Sequence, residues 1–414
     1  MHKKIKYSWI ICICCTTVLI CTMGFSTNAF AVYIPHIVAQ GYSEEQASAL
    51  ISFRCLFSIV GMLVINQYYK YISLGKGISL ACILTAIGFL TYSEAKSFVM
   101  YLLAAAICGI AYGIGSMIPV SIMICNWFNE RRGLALGICT AGTGICTIIF
   151  PPLISKIIII DGIASSFRMQ GFFAIAVSAI AFICLKDDPK EMGVEPYGRQ
   201  NKDSTKYEGE NKNTSNSLII PNRIIIAVAT ACFLIGGIGT SAPGHFSALF
   251  SSINYPEMKI SFAISVYGIA LTIAKFIFGQ ATDCFGVLKS TLVSMLSLSI
   301  GCVCCCMADG SNMAWMYAGT ILLGLGFAPA TVGIPMYALD FSNSSNYPRI
   351  LRWFQLSYTT GGMIISLMPG IMYRLLGEYK SSYFTFIFII LISTFILVRM
   401  YRWLNKRKGR KNEK

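Results

Sequence analysis

Arg54, His245 and Lys275 are the ionisable side chains that fall inside long apolar runs of this 414-residue chain. A charge at the centre of a membrane helix costs at least about 2.5–3.5 kcal/mol, so such groups are functional candidates by default. Lys275 shares a helical face with Gly268, Thr272 and Gly279, a small and polar strip that suits a cavity. Its long stem could also carry the ammonium out to the membrane surface. Arg54 lies roughly midway along its run, with Ser58 and Gly61 on the same face. Its planar fork suits bidentate contact with a carboxylate; bonds to the carbonyls of a broken helix are the other use open to it. His245 can relay a proton or donate a hydrogen bond, or serve as a neutral structural histidine. No Asp or Glu lies at the centre of any apolar run, since Asp283 and Asp340 fall at run ends. Embedded cations without embedded acids predict that an incoming anion supplies the missing charge.

The elements that position these groups are membrane helices. Hydrophobic residues make up 55% of the chain and charged residues 12%, with a mean hydropathy of +0.65, which excludes an ordinary soluble domain. Apolar runs of roughly 20 residues, the length that crosses a bilayer, are expected over residues 8–34, 45–67, 77–93, 98–126, 133–157 and 166–185. Six more are expected over 223–251, 259–282, 288–307, 312–339, 349–372 and 380–403. The first run is too long for the roughly 7–15-residue core of a signal peptide and is expected to be retained. The fold class is therefore all-α, with twelve transmembrane helices in two six-helix halves. The expected domains are 1–185, a polar and mostly disordered linker 186–221, a second half 222–403 and a basic tail 404–414.

Charge placement sets the sidedness. Lys96, Lys156, Arg168, Lys259, Arg374 and Lys380 fall on one side, and Arg54 and Lys275 fall in the membrane. The rest of the 33 Lys and Arg lie on the side shared by both termini, which predicts cytoplasmic termini and a plasma-membrane location. The formal charge of +15 is explained by this bias and by contact with anionic lipid, without nucleic acid. The 17 cysteines sit almost wholly in apolar runs and read as small packing residues, not as metal ligands or disulfides. No cofactor or metal motif is present. Scattered histidines at 2, 36 and 245 and the lack of a clustered polar site argue against an enzyme.

The most specific stretch is Asn126–Gly144, NWFNERRGLALGICTAGTG. Gly133, Gly137, Ala141 and Gly144 share one helical face, the pattern that lets a neighbouring membrane helix approach closely. Trp127 and Phe128 suit an interfacial aromatic belt, and Arg131 and Arg132 a cytoplasmic hairpin. Glycines and prolines interrupt the fourth run (Gly109, Gly113, Gly115, Pro119) and the tenth (Gly324, Gly326, Pro329, Gly333, Pro335). Such paired interruptions point to a transport pathway. Gly236, Gly237, Gly239, Pro243 and Gly244 suggest a bend facing a cavity in the seventh.

With Trp127-Phe128-x-x-Arg131-Arg132-Gly133-Leu134-Ala135-x-Gly137, and Gly279-x-x-x-Asp283-x-x-Gly286 followed by Lys289, the chain resembles the major facilitator superfamily. More narrowly, it looks like the branch holding the oxalate–formate antiporters and the monocarboxylate transporters. Gly370-x-x-x-Arg374-x-x-Gly377 is a third match, with Arg374 where the family prefers an acid. The resemblance implies a monomeric secondary transporter of small organic anions, mono- or short dicarboxylates, working by alternating access and antiport in the lipid bilayer. It implies a substrate contact from Lys275 and, by position, from Asn28, Phe30, Tyr33, Tyr112, Tyr267 and Tyr337, beside Arg54 and His245 read from their place in apolar runs. Gating is implied for Arg131, Arg132, Gly279, Asp283 and Gly286. Two departures stand out. The first-half gating loop, NQYYKYISLGK over Asn66–Lys76, has no carboxylate. The lysine that oxalate-type members carry in the eleventh helix falls near Gln355 or Tyr358, with no lysine between Arg352 and Arg374. A drug or metabolite efflux carrier of the same fold and a proton-coupled carboxylate symporter are the alternatives.

Overall fold

The computed structural model describes residues 2–198, 220–343 and 345–412. Most of the expected linker (199–219) and the end of the basic tail (413–414) lie outside them. The described residues form two compact units that divide near residue 200. Among them there is no β-strand, only an isolated parallel bridge between Phe128 and Tyr197.

In the first unit, α1 (His2–Leu19) runs into a π-helical segment (Ile20–Ala29), a 3-10 turn (Phe30–Val32) and α2 (Tyr33–Ala39). Then follow α3 (Glu44–Tyr71), α4 (Leu74–Ser93), α5 (Phe98–Gly115), α6 (Met117–Trp127) and α7 (Arg132–Cys184). Straight, the 53 residues of α7 would reach roughly 80 Å at 1.5 Å per residue, far beyond the roughly 30 Å hydrocarbon core. At Gly162 the backbone leaves the helical region (φ 83°, ψ 170°), which divides α7 into two crossings. This is where the sequence placed the gap between its fifth and sixth runs.

The second unit holds α8 (Asn222–Gly244), α9 (Phe246–Ser252), α10 (Glu257–Phe285), α11 (Val287–Met307), α12 (Met313–Gly326), α13 (Gly333–Asp340), α14 (Tyr347–Ile365), α15 (Met368–Leu376) and α16 (Lys380–Asn412). Ten helical stretches among the described residues are long and apolar enough to cross a membrane. Dividing α7 adds one, and the broken α14–α15 pair adds the twelfth, giving six crossings per unit. Surface positions on these helices carry Leu63, Ile87, Phe182, Leu296, Phe388 and other large apolar residues in the open. Water would not tolerate that density of exposed apolar side chains, but lipid favours it.

Both units use the same packing plan. In the first, α3 packs on α5, α4 on α7 and α1 on α7; in the second, α10 packs on α12, α11 on α16 and α8 on α14. Glycine makes these contacts. A Cβ on Gly113 would stand 2.8 Å from the Gly61 Cα, and one on Gly361 would strike the Phe233 carbonyl. Small residues permit this approach where lipid supplies no drive for burial. The glycines read as signs of a cavity are therefore mostly contacts: Gly109 against the Arg54 carbonyl, Gly236 against Tyr358 backbone, Gly237 against Ile365.

The fourth crossing of each unit is broken. Ser116 leaves the helical region (φ −99°, ψ −122°) between α5 and α6, since Pro119 cannot continue a bond to Gly115 and its ring would crowd that carbonyl. The Tyr69 hydroxyl donates to the Ile114 carbonyl at 2.8 Å, and Thr22 Oγ1 reaches Gly115 at 3.5 Å. Hydroxyls thus satisfy carbonyls that the break exposes, as a low-dielectric surrounding requires. In the second unit a 3-10 turn, Ala328–Ala330, separates α12 from α13.

Candidate functional site

Arg54 stands on α3 ten residues from its start, about 15 Å along the axis. It is 7% exposed. Its Cζ lies 5.6 Å from the Tyr112 ring centroid, and its Nη2 donates to the Cys55 thiol at 3.2 Å. It is also within electrostatic reach of Tyr92 and Cys108. The Nε hydrogen is buried without an acceptor. A thiol is a weak acceptor and a ring face is a partial one, so the side-on edge of the fork, Nε and Nη2, has no carboxylate partner among the described residues. The backbone-carbonyl role that the sequence left open is not what is seen. Of the first-unit candidates, Arg54 and Tyr112 are the pair brought together.

Lys275 is 2% exposed. The sequence placed it within a turn or two of the helix end, but α10 continues to Phe285. Ten residues, about 15 Å, separate it from that end, and its burial shows that it does not snorkel. Two turns back on α10, the Tyr267 ring packs edge-on against Phe246 and Phe327 and faces Tyr358 of α14. One turn from Tyr358, the buried Gln355 keeps its side-chain Oε1 without a partner. Gln355 and Tyr358 join Tyr267 as polar lining in the second unit. Their signal in the sequence was the eleventh-helix position where the resembling family has a lysine.

Other expected substrate contacts are placed differently. Tyr33 is fully buried, stacked on Phe167 with centroids 4.0 Å apart. Its hydroxyl donates to Gln170 Oε1 at 2.9 Å and shares a 2.7 Å bond with Ser166 Oγ. Phe30 packs between Tyr33 and Tyr92. Both belong to the aromatic core of the first unit. Tyr337 is buried in the second, with a 2.9 Å bond to Thr291 Oγ1. Asn28 falls in the π-helical segment, its side chain outside the described residues. His245 is not deep in the membrane: Pro243 and Gly244 end α8, and His245 forms the turn into α9 with Nδ1 2.9 Å from the Ser241 carbonyl. It sits near Tyr379, just before α16.

The hairpin between α6 and α7 is short, and its aromatic pair turns inward. Trp127 and Phe128 are fully buried, not part of a lipid-facing belt. Arg131 takes a left-handed conformation (φ 56°) to start α7. Arg132 folds back, donating from Nε to the Phe128 carbonyl and from Nη2 to Asn129 Oδ1 at 3.3 Å. In the second unit Gly286 (φ 87°) turns α10 directly into α11, a conformation that favours glycine, and leaves Asp283 exposed one turn earlier.

The largest departure concerns residues 186–198, expected to be disordered linker. They are ordered against the first unit. Asp187 accepts from the Leu74 and Gly75 backbone amides with separate carboxylate oxygens, both at 2.7 Å. It thereby caps α4, whose own Ser73 makes no capping bond. Trp127 Nε1 donates to the Lys186 carbonyl at 2.7 Å, and Asn126 Nδ2 to that of Asp187 at 3.1 Å. Tyr197 completes the strap: its amide donates to the Trp127 carbonyl at 2.9 Å, its carbonyl accepts from Asn129, and its ring joins Trp9 and Phe128. The carboxylate missing from the loop over Asn66–Lys76 is supplied from 113 residues away.

Residues 14–252 and 246–414 match the family model described as Major Facilitator Superfamily. Over 302 residues the chain is 25% identical to monocarboxylate transporter 12 of Xenopus laevis, covering 67% of this chain and 63% of that one. It is 27% identical over 197 residues to the fujikurins efflux protein of Gibberella fujikuroi, covering 45% and 40%. The oxalate:formate antiporter of Oxalobacter formigenes is 37% identical over 87 residues, 21% of this chain and 20% of that one. The chain thus spans less than two thirds of the length of these curated relatives. Among solved structures, the proton:xylose symporter XylE bound to 6-bromo-6-deoxy-D-glucose superposes with a TM-score of 0.75 at 12% identity, covering 96% of both chains. That likeness is one of fold.

Proposed function

The chain belongs to the Major Facilitator Superfamily, and from that premise we propose that it is a secondary transporter of small organic anions, monocarboxylates or short dicarboxylates. One observation carries the reading: each unit buries a cation deep in a membrane-length helix, Arg54 in α3 and Lys275 in α10, while no Asp or Glu stands at the centre of any crossing. A cation at that depth of a membrane helix is a functional candidate by default. A carboxylate substrate neutralises such a site on binding. The loaded carrier then changes state more readily than the empty one, which favours anion exchange over uniport. Tyr112 stands beside Arg54 in the first unit, and Tyr267, Tyr358 and Gln355 give the second unit its polar and aromatic lining.

The strong basic bias supports both termini at the cytoplasmic face of the plasma membrane. The domains are residues 1–185, 186–221, 222–403 and 404–414, with 186–198 attached to the first, and the carrier acts as a monomer. Arg131, Arg132, Gly279, Asp283 and Gly286 serve the cytoplasmic gate and not the substrate. A second reading, efflux of a larger metabolite, is favoured by the likeness to the fujikurins efflux protein.

The test is exchange in proteoliposomes preloaded with a panel of carboxylates. Lys275→Gln is expected to reduce carboxylate exchange about tenfold or more, the cost of one charge-assisted contact. Full exchange in that variant, or export of neutral compounds that ignores it, would sink the anion reading.

A further inference from the structure

Away from the buried cations, the second unit has a groove of about 620 Å³ at the face where α8 and α14 begin. Its size is that of a small-ligand pocket. Ile225, Ile226 and Trp353 form an apolar floor, and Asn222, Asn346 and Arg349 a polar rim. Ile226 is 65% exposed and Trp353 46%, so the apolar floor is open. No acid lines it. The adjoining Asp340 is engaged by the Tyr401 hydroxyl at 2.8 Å. Arg349 stands on the rim, Arg223 is exposed beside Asn222 at the start of α8, and Arg352 has its Cζ 5.6 Å from the Trp353 ring centroid.

Depth gives the groove its character. Asn222 opens one crossing and Asp340 closes another, so the rim lies where the hydrocarbon begins. Ala229, at the inner end of the floor, lies seven residues along α8, about 10 Å deeper. A polar, cationic mouth at headgroup level above an apolar slot at acyl level has the layout of a phospholipid site. The positive ends of α8 and α14 converge there, and neither has a side-chain cap.

We propose that this groove binds one anionic phospholipid, its phosphate at Arg349 and Arg223 and the upper part of an acyl chain along Ile225, Ile226 and Trp353. The site is independent of the transported substrate, and it ties the second unit to a lipid leaflet rich in negative headgroups.

The test uses the purified full chain, delipidated in detergent, and native mass spectrometry. Dioleoyl phosphatidylglycerol is titrated against dioleoyl phosphatidylcholine, with water-soluble glycerol phosphate in a third arm. Arg223→Gln/Arg349→Gln should fold normally, because both side chains are exposed. The parent should retain one phosphatidylglycerol at least about tenfold more tightly than phosphatidylcholine, and the double variant should lose most of that preference. Trp353→Leu should weaken both lipids together. Equal retention of phosphatidylglycerol by parent and double variant would overturn the proposal. So would tight binding of glycerol phosphate alone, which would make the occupant a soluble phosphate. Lipid retention that appears only after residues 201–218 are deleted would overturn it as well, by making the occupant the chain's own segment.

Discussion

Replacing Arg54 by glutamine is expected to lower carboxylate exchange by about two orders of magnitude while leaving the protein at least as stable in detergent as its parent. Two effects of opposite sign meet at this residue. The guanidinium is buried, its Nε has no acceptor, and its described neighbours are a thiol and an aromatic ring. Holding a cation there costs the folded state several kcal/mol that no acid offsets. Glutamine keeps a donor near Cys55 and removes the charge. The melting temperature should therefore hold steady or rise by about 2 °C or more. Exchange loses a bidentate, charge-assisted contact worth about 3 kcal/mol, which is roughly a hundredfold in affinity. Thermal unfolding and exchange measured on one preparation decide the matter. A structural arginine would give the reverse: lower stability and, in the surviving folded fraction, normal exchange.

Asp187→Ala is expected to destabilise the first unit by about 2–3 kcal/mol. Each carboxylate oxygen accepts one backbone amide at the start of α4. Loss of a helix cap costs about 0.5–2 kcal/mol, and loss of an anion at the positive helix end adds up to about 1 kcal/mol. Asp187→Asn retains one acceptor and should fall between parent and alanine. Glutamate should rescue poorly, because Gly75 packs against the Leu185 backbone, where a Cβ would stand 2.7 Å from the carbonyl oxygen, and leaves little room for a longer side chain. Thermal unfolding gives the order of the series. Limited proteolysis of residues 186–198 should rise in the same order, because Trp127, Asn126 and Tyr197 hold the strap cooperatively with Asp187. Unaltered unfolding and proteolysis in Asp187→Ala would remove the capping account.

These expectations differ in how far the sequence led to them. The crossings were legible because apolar length and glycine punctuation are local. The turn at Gly162 and the breaks near Pro119 and Pro329 all fall where the residue types require them. Arg54 and Lys275 were legible because a charge in an apolar run stands out without reference to any other residue. What eluded sequence reasoning was non-local. Nothing near Leu74 marks it as a partner of Asp187, and a polar stretch after a helix looks the same whether it is strapped down or free. Trp127 beside arginines suggested a lipid belt, but its ring is enclosed by Tyr7 and its indole hydrogen by the Lys186 carbonyl. Gly236 suggested a bend, and only the neighbouring α14 shows that it permits contact. His245 seemed buried because the apolar run continues past it through Phe246 and Leu249, whereas Pro243 and Gly244 had already ended the helix.

On the proposed function, Arg54 and Lys275, one buried cation in each unit, select a substrate by its negative charge. Counterflow tests it most directly. Proteoliposomes carrying the protein are loaded with an unlabelled small carboxylate, and entry of the labelled acid is compared with that of its uncharged amide, which has nearly the same shape. The account predicts transient uphill accumulation of the acid and none of the amide. Equal accumulation of acid and amide would contradict it.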